Sequence, residues 1–371
     1  MFWGKKKNKK EKEFYENLRE NGLTITDYFI DGLLIFDEDS KIALVNPQAE
    51  KFFGVKEGKI LGESILGLNR FPKFEPLVSL LGGGVKEVFR QELQISENLI
   101  WEVTTVPIIT GDVKAVTLVI LHDVSREKLV QKMKTEFVTL AAHQLWTPTS
   151  AVKWSLEMLL EGDLGKLNER QKKIIEKAHK TNDKAIRLVN DLLNVAEIEE
   201  GRYLSKLVLT DISDIIQLII EEYNEQIKEK KIKLAFKKPE EQLPKIMLDV
   251  EKTKIAVRNI LDNAVRYTFP MGKISIFIKK EEKNIEVQIQ DSGLGIPLGE
   301  QDKIFTKFFR GSNITRIDTE GTGLGLYIAK NIIEAHKGTV WFESEEDQGT
   351  TFYFTLPIKE RFGEYLTEEF Y

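Results

Sequence analysis

Short apolar segments alternate with turn residues between residues 23 and 121. This pattern predicts a small α+β domain built on an antiparallel sheet. Asn46 and Pro47 predict the start of a short helix that ends at Gly54, because asparagine is a preferred N-cap and proline a preferred first helical residue. The predicted strands are Leu33–Phe36, Ile42–Val45, Val88–Ile95, Leu99–Val106 and Val113–Leu121, and Gly111-Asp112 is predicted to turn the last pair.

The periodicity becomes helical after residue 122. A helix is predicted from Ser125 to Leu160, because apolar residues recur there at steps of three and four or their sum. Gly162 and Gly165 then predict a turn, and Asn168 with Gln171 has the spacing of a capping box that begins a second helix. The two apolar stripes are Leu129, Met133, Phe137, Ala141, Leu145, Val152, Leu156 and Leu159, and then Ile174, Ala178, Thr181, Ala185, Leu188, Leu192 and Val195.

The second stripe has the 4-3 spacing of a heptad seam. An antiparallel hairpin with one apolar stripe on each arm cannot bury both stripes well. We therefore predict that residues 122–205 form a hairpin that dimerises into a four-helix bundle.

Residues 206–358 predict a C-terminal α/β sandwich with a mixed sheet. Residues 1–22 are interpreted as a basic tail with a lead-in helix, and residues 359–371 as a C-terminal tail. The predicted helices are Ile212–Lys230, Glu251–Tyr267 and Gly325–His336, and the predicted strands are Lys233–Phe236, Lys273–Lys279, Ile285–Asp291, Thr339–Glu343 and Thr350–Pro357.

Composition narrows the class of protein. The 371 residues are 42% hydrophobic and 30% charged, which is typical of two or three globular domains. The net charge of −5 argues against bulk nucleic-acid binding, and the absence of cysteine excludes disulfides, Cys-ligated zinc and thiol nucleophiles. No apolar run approaches the roughly 18–20 residues that cross a bilayer, so we expect a cytoplasmic protein without a transmembrane segment. Five lysines between Lys5 and Lys10 predict a solvated tail or, with Phe2 and Trp3, weak contact with an anionic membrane surface.

One histidine stands out in the first long helix. His143 is turned about 160° away from both Ala141 and Leu145, so it is predicted to project out of the apolar stripe. Pro148 lies one turn further along, where a helix-interior proline costs on the order of 3 kcal/mol. A loosened helix beside a projecting imidazole fits a group that another domain approaches. The alternative is a surface histidine with no role.

Several polar and glycine-rich blocks follow in the C-terminal third. Asn259, Asn263, Arg266 and Tyr267 share one side of a predicted helix, where amide oxygens suit Mg²⁺ and a guanidinium suits phosphate. The alternative for this face is an ordinary polar helix surface.

Two further blocks complete a candidate nucleotide site. Asp291 ends a predicted strand, where it can accept a hydrogen bond from an adenine amino group while Gly293 and Gly295 let the backbone lie against the base. Gly321–Leu326 opens a helix whose amides can bind phosphate. This glycine-rich block does not follow a strand, which disfavours a dinucleotide-binding βαβ unit.

These motifs resemble the sensor histidine kinases of two-component systems. The run Phe-Val-Thr-Leu-Ala-Ala-His-Gln-Leu-Trp-Thr-Pro at 137–148 is similar to the phosphoacceptor box of that family. The blocks Asn259–Thr268, Asp291–Ile296, Phe305–Arg310 and Gly321–Leu326 are similar, in order, to its ATP-binding boxes. The resemblance implies a HisKA-type hairpin and an ATPase domain of the superfamily that includes gyrase and chaperones.

The resemblance also implies roles for single residues. His143 would be phosphorylated, Asn263 would hold Mg²⁺, Asp291 would read adenine and Arg310 would approach the γ-phosphate. Residues 311–320 would form a mobile lid over the nucleotide. The implied nucleotide-binding set is Asn259, Asn263, Arg266, Tyr267, Asp291, Gly293, Gly295, Ile296, Gly321, Thr322, Gly323, Leu324, Gly325, Leu326 and Thr350.

Three residues depart from the family pattern around the histidine. Gln144 stands where the family usually has an acid, Trp146 where it has a base, and Thr149 where it has an apolar residue. An amide cannot take the imidazole proton, and a missing positive charge weakens stabilisation of the phosphoryl group, so slowed autophosphorylation is expected. Gln144 and Thr147 share one helical face. This pair predicts either phosphatase activity towards a partner or simply a polar surface.

Residues 23–121 resemble a PAS domain, most clearly in the strand-turn-strand followed by Asn46-Pro47-Gln48-Ala49. Such a domain receives a small-molecule or protein signal, or only dimerises. Trp101, Phe52 and Phe53 are interpreted as core. No role is assigned to His122, His179 or His336, and His336 is expected to end a helix as a cation.

The whole chain is therefore predicted to be a multidomain α+β homodimer. As an ATP- and Mg²⁺-dependent autokinase it would pass a phosphoryl group to an aspartate of a response-regulator receiver domain. Two alternatives stay open: an ATP-binding pseudokinase scaffold, and an ATPase of the same superfamily.

Overall fold

A computed structural model describes residues 26, 28–82, 85–110, 113–201, 204, 206–239, 243–317 and 321–358. The chain divides into two compact units, Met1–Met133 and Lys134–Tyr371. The predicted tails, the turn at Gly111-Asp112 and the last three residues of the predicted lid lie outside the described residues. The domain boundaries inferred from the sequence stay predictions.

The first unit is built on the predicted antiparallel sheet. Its five strands lie in the order β2-β1-β5-β4-β3. Four helices missed by the sequence pattern, two of them 3₁₀ helices, cover the connections. The elements are β1 (Gly32–Phe36), β2 (Ile42–Val45), α1 (Pro47–Phe53), α2 (Glu57–Ile60), two 3₁₀ helices (Ile65–Arg70 and Pro72–Phe74), α3 (Glu75–Leu81), β3 (Gln91–Ser96), β4 (Leu99–Thr110) and β5 (Val113–Asp123).

The predicted third strand began three residues too early. Val88 does bond to β4, because its N–H donates to the hydroxyl of Thr105 at 2.6 Å. Arg90 then has a φ of 50°, which breaks the extended backbone before β3 begins. A local reversal of this kind leaves no trace in the alternation of apolar and polar residues.

Asn46 fixes the start of α1 as predicted. Its Oδ1 accepts hydrogen bonds from the N–H groups of Ala49 at 2.8 Å and Leu33 at 2.9 Å. Its Nδ2 donates to the carbonyl of Asp31 at 2.9 Å. The same buried side chain therefore caps the helix and ties it to β1. Gly54 ends α1 with a φ of 69°.

The core of this unit lies between the helices and one face of the sheet. Trp101 is fully buried, stacks on Phe52 with ring centroids 5.3 Å apart and meets Phe53 edge-on at 5.0 Å. Phe53 also stacks on Phe74. These aromatic residues are thus core, as interpreted from the sequence.

Two long helices, α4 (Ser125–Glu161) and α5 (Glu169–Glu199), form the predicted hairpin. The capping box is present, because Asn168 accepts from the Gln171 N–H at 2.9 Å while the Gln171 side chain accepts from the Asn168 N–H at 2.9 Å. Helix α4 runs on through Pro148. No helix among the described residues is long and apolar enough to cross a membrane.

The apolar stripes of the hairpin stay largely uncovered within one chain. Phe137 is 71% exposed and Ile174 is 69% exposed, whereas Val195 at the end of α5 is buried against the C-terminal domain. This agrees with the prediction that the hairpin alone cannot bury both stripes.

The C-terminal domain has the predicted mixed sheet, in the order β11-β12-β10-β9-β7, with β7 and β9 parallel and the other pairs antiparallel. Strands β6 and β8, only four residues each, were missed and form a separate pair. The elements are β6 (Leu207–Thr210), α6 (Ile212–Glu222), α7 (Asn224–Glu229), β7 (Lys233–Lys237), β8 (Ile246–Asp249), α8 (Val250–Tyr267), β9 (Lys273–Lys280), β10 (Asn284–Asp291), a 3₁₀ helix (Leu298–Lys303), α9 (Ser312–Ile317), α10 (Gly325–Ala335), β11 (Val340–Glu345) and β12 (Gly349–Pro357).

One predicted helix, Ile212–Lys230, is two helices in the structure. Tyr223 separates α6 from α7, and its hydroxyl donates to Asp262 at 3.1 Å. The break is set by this tertiary hydrogen bond and by burial of the tyrosine ring.

The expectation that His336 is a cation is wrong. The ring is 1% exposed, and burial lowers its pKa because a charge cannot be solvated there. Nδ1 lies 2.8 Å from the carbonyl of Ile332, and Nε2 accepts from the Asp249 N–H at 3.0 Å. A nitrogen that accepts needs its lone pair, so the ring is neutral and joins α10 to the start of α8.

Candidate functional site

Helix α8 places one side of the candidate site. Its apolar residues pack into the core, so Asn259, Asn263 and Arg266 lie half-buried on the other side. Asn259 Nδ2 is buried and has no hydrogen-bond partner among the described residues. The oxygen of the same amide lies 3.1 Å from the position that a Cβ on Gly325 would take. A buried amide donor without a partner among the described residues, beside the first residue of α10, is able to bind an acceptor on a polar ligand.

Asp291, the last residue of β10, lies deep at the second side. Asp291 is only 8% exposed. Its Oδ1 accepts hydrogen bonds from the N–H groups of Gly293 at 2.8 Å and Thr350 at 3.3 Å. Burial raises the pKa of Asp291 to about 6, although both N–H groups favour the charged form. Both of these bonds use one oxygen, so the other can accept from a ligand.

Two glycines after Asp291 are required by close backbone approach. A Cβ on Gly293 would lie 2.4 Å from the carbonyl oxygen of Tyr267, and one on Gly295 would lie 1.9 Å from that of Glu345. Gly295 also has a φ of 62°. The loop therefore presents bare backbone beside the carboxylate, a surface on which a flat base can lie. The next residue, Ile296, is anchored by its N–H to the Ser344 hydroxyl at 2.8 Å.

The glycine-rich block, Gly321–Leu326, forms the third side and leads into α10 at Gly325. Gly323 has a φ of 71°, and a Cβ there would lie 2.7 Å from the backbone of Phe308 and Phe309. This contact holds the Phe305–Arg310 segment against the glycine-rich block.

Two guanidinium groups converge on the start of this block. A Cβ on Gly321 would lie 3.4 Å from Arg310 Nε and 3.7 Å from Arg266 Nη1. Arginines from two separate segments thus meet in front of the N-terminus of α10, where the helix dipole is positive. Such an arrangement binds phosphate.

Part of the predicted lid is ordered as helix α9. The Asn313 side chain in this helix donates to the carbonyl of Gly295 at 3.1 Å. The Ser312 N–H donates to Glu300 at 3.0 Å. These contacts bring the segment to the glycine loop that follows Asp291.

The three predicted residues on α4 lie together on its outer side. His143, Gln144 and Thr147 are all exposed, whereas Ala142 is buried. The Thr147 hydroxyl lies 3.5 Å from the carbonyl of His143, on the same face. His143 is therefore exposed, as expected, although Leu145 of the apolar stripe is 50% exposed as well.

The glycine-rich block contacts the hairpin through α5, at a residue that the sequence did not single out. Thr322 Oγ1 donates to Asp191 Oδ2 at 3.1 Å. Burial raises the pKa of Asp191 to about 6, so it is a carboxylate at pH 7.5. An acid on a helix that is otherwise rich in charge gives no local sign of such a contact.

Asp191 and His143 lie at about the same height along the hairpin. The antiparallel arms are aligned by Thr135 with Glu199 and by Thr149 with Asn182. His143 is eight residues from Thr135, and Asp191 is eight residues from Glu199. Both residues therefore lie the same distance along the hairpin axis from the aligned pair Thr135–Glu199.

Comparisons with known proteins agree with this geometry. Residues 248–360 match the family model described as histidine kinase-, DNA gyrase B-, and HSP90-like ATPase, and residues 133–201 match the His Kinase A (phospho-acceptor) domain. The chain is similar to the sensor histidine kinase WalK of Bacillus subtilis (strain 168), with 30% identity over 354 residues that cover 93% of this chain and 56% of that protein. It is also similar to a Staphylococcus aureus sensor protein kinase WalK, with 30% identity over 91% of this chain and 80% of that sequence.

A solved structure is also similar. Full-length ShkA in complex with AMPPNP matches with a TM-score of 0.50 and 25% identity, over 61% of this chain and 46% of that one. This chain spans little more than half the length of the Bacillus relative that it matches.

Proposed function

This chain belongs to the sensor histidine kinase family, and on that premise we propose that it transfers the γ-phosphoryl group of ATP to His143. From there the group would pass to an aspartate of a response-regulator receiver domain. One observation carries the proposal. A buried acid, an amide without a partner among the described residues and two converging arginines lie on α8 or on segments close to it, in the same compact unit as an exposed histidine.

The base would lie at Asp291. The free carboxylate oxygen accepts from the adenine amino group, and the backbone of Gly293 and Gly295 packs against the ring. Tyr267, Ile296 and Thr350 line or brace this end. The match to full-length ShkA, which was solved with AMPPNP, supports an adenine nucleotide.

The triphosphate would lie across the glycine-rich block. Arg266 and Arg310 pair with phosphate oxygens, and the amides at the start of α10 bind them as well. The unpartnered amide of Asn259 gains its missing acceptor from the same group.

The donor set here fits a magnesium ion shared with the nucleotide. The described residues contain no cluster of three acids or histidines that could hold a metal alone. Asn263, half-buried on α8, would supply an amide oxygen to Mg²⁺, and the phosphates and water would supply the rest. When bound, the ion neutralises charge on the phosphate oxygens.

His143 would act as the nucleophile. A bond forms between an imidazole nitrogen and the γ-phosphorus while the bond from that phosphorus to the ADP oxygen breaks, and the proton on the other ring nitrogen passes to water. Gln144 can hold the ring through its amide but cannot take its proton, and Trp146 brings no charge to the incoming phosphoryl group. These two residues keep a phosphatase-biased enzyme and a weakly active scaffold open as second candidates.

The exposed apolar stripes support a homodimer. Pairing two hairpins would bury residues such as Phe137 and Ile174, which one chain leaves in water. Sedimentation that gives a monomer at micromolar concentration contradicts this part. The first unit, by its PAS resemblance, would receive the signal.

Labelled ATP tests the function. The protein is incubated with ATP that carries a labelled γ-phosphate, with Mg²⁺. Label that stays on the protein in base and is lost in acid identifies a phosphohistidine. Free phosphate without protein label identifies an ATPase instead. If neither label nor free phosphate forms, the protein is a scaffold.

Restoring the charge beside His143 should raise the yield. We expect Trp146→Arg with Thr149→Leu to increase the initial rate of phosphohistidine formation about tenfold, because an arginine there stabilises the transferring group. Trp146 tolerates change because it is 45% exposed, and the Thr149 hydroxyl bonds to the carbonyls of Leu145 and Trp146 in its own helix, so its loss breaks no contact with another element.

Trp154→Arg is the matched control for that double variant. Trp154 is 66% exposed on the same helix, two turns further on. It adds the same charge at a distance from the histidine, so its rate should stay at the wild-type value. Equal rates for all three proteins contradict the assignment of Trp146 as the weakening residue.

A further inference from the structure

Two carboxylates of helix α5 contact segments of the proposed nucleotide site. Asp191 accepts from Thr322 in the glycine-rich block, and Glu199 pairs with Lys307 in the Phe305–Arg310 segment. Beside these contacts, Lys252 at the start of α8 pairs with Glu197.

The contact at Asp191 is linked to the backbone amide of Leu324, which lies at the proposed triphosphate site. The Thr322 hydroxyl donates to Asp191, and the same oxygen accepts from the Leu324 N–H at 3.2 Å. Donation to a carboxylate makes a hydroxyl oxygen a stronger acceptor. Asp191 therefore strengthens the bond by which Thr322 covers the Leu324 amide.

The contact at Glu199 reinforces the first. Lys307 is next to Phe308, whose backbone lies against Gly323 in the glycine-rich block. Its ammonium group also lies 5.0 Å over the ring of Tyr327 in α10. The ion pair thus holds to α5 the segment that packs on the block and that carries Arg310.

These contacts would compete with the binding of a nucleotide. A phosphate at the Leu324 amide would displace the Thr322 hydroxyl and would bring negative charge towards the Asp191 carboxylate. Like charges in a half-buried place repel, because little water screens them. Arg187, one turn before Asp191, offsets part of that repulsion but belongs to the same helix.

We propose that Asp191 is a positioning residue that clasps the glycine-rich block onto α5 and competes with the triphosphate of ATP for it. The inference rests on the proposed function. While Thr322 is bonded to Asp191, the catalytic domain is held against α5 at the level of His143, which lies on the other helix, α4. Binding of ATP opens the clasp and frees the domain to reach the histidine.

Calorimetric titration of the full chain with ATP and Mg²⁺ tests the competition. Asp191→Asn keeps the shape and the acceptor oxygen but removes the charge, so ATP should bind at least about fivefold more tightly. Adenosine, which has no phosphate, should bind the variant and the wild type equally. Glu199→Gln should shift ATP affinity in the same direction.

Asp183→Asn is the matched control. Asp183 lies two turns earlier on α5 and pairs with Lys153 inside the hairpin at 2.9 Å. It removes the same charge without touching the catalytic domain, so ATP affinity should not change. An equal gain in both variants would reflect net charge alone and overturns the proposal.

A zero-length carbodiimide cross-link reports the clasp without any substitution. The Lys307–Glu199 pair should cross-link in the absence of nucleotide, and ATP with Mg²⁺ should lower the yield. The Lys153–Asp183 pair gives the reference yield.

The outcomes distinguish a failure of the clasp from a failure of the proposed function. If the wild type binds ATP but Asp191→Asn binds it no more tightly, or if ATP leaves the cross-link unchanged, the clasp is wrong and the proposed function stands. If no variant binds ATP, the proposed function fails and the competition fails with it.

Discussion

His143→Gln should abolish the acid-labile label that ATP leaves on the protein, with a loss of more than about 100-fold. Glutamine has a similar reach but no nitrogen lone pair that can attack phosphorus, so the loss is chemical rather than structural. His143 is exposed, so the free energy of unfolding should change by no more than about 0.5 kcal/mol. Label retention and thermal unfolding are measured on the same preparation.

His179→Gln is the control for that result. His179 lies on the other arm of the hairpin, 3.3 Å from Asp183 and 3.5 Å from Glu157. It should keep its label. Label that persists in His143→Gln and disappears in His179→Gln would move the acceptor to α5, and label in neither would point to a different chemistry.

Asp291→Asn should weaken ATP binding by more than about 100-fold and stabilise the protein without nucleotide. Binding is lost because the side of the carboxylate that faces the base becomes a donor, opposite the adenine amino group, which also donates. The backbone bonds from Gly293 and Thr350 survive, since the asparagine oxygen can accept both.

The gain in stability follows from the pKa of Asp291. Folding raises that pKa from 3.8 to about 6, so the folded protein holds the proton more tightly than the unfolded chain. Stability associated with this group is therefore present at low pH and is lost as the pH rises from about 4 to about 6. At pH 7.5 the ionised group costs up to about 3 kcal/mol, which the amide removes.

Thermal unfolding at two pH values and ATP titration check both parts. The melting temperature of Asp291→Asn should exceed that of the wild type at pH 7.5 and should approach it near pH 4. Wild-type ATP affinity should also fall as the pH drops through about 6, because a protonated Asp291 cannot accept on both oxygens. Asp302→Asn, at an exposed position, should change neither quantity. A variant that is less stable and still binds ATP contradicts the assignment.

Elements with strong local signals could be predicted from the order of residues alone. The cap at Asn46, the capping box at Asn168 and the helical periods of α4 and α5 are all present in the structure. So are the mixed sheet and a helix that begins at Gly325. The caps and helices depend on interactions between residues a few positions apart, which a sequence displays directly, and the strands of the sheet were marked by their own apolar patterns and by the turns between them.

Local signals failed where a distant contact decided the outcome. The break at Tyr223 depends on Asp262, and the neutral state of His336 depends on burial against the start of α8. The four-residue strands β6 and β8 exist because they pair with each other.

The candidate site divides in the same way. The motif residues were named from the sequence, since glycine, amide and acid at set spacings already limit the chemistry. Only the tertiary structure brought Arg266 and Arg310 together at Gly321 and set Asp191 against Thr322, 131 residues away. Packing of separate elements decides such contacts, because burial energy depends on which surfaces meet and leaves no mark on the residues between them.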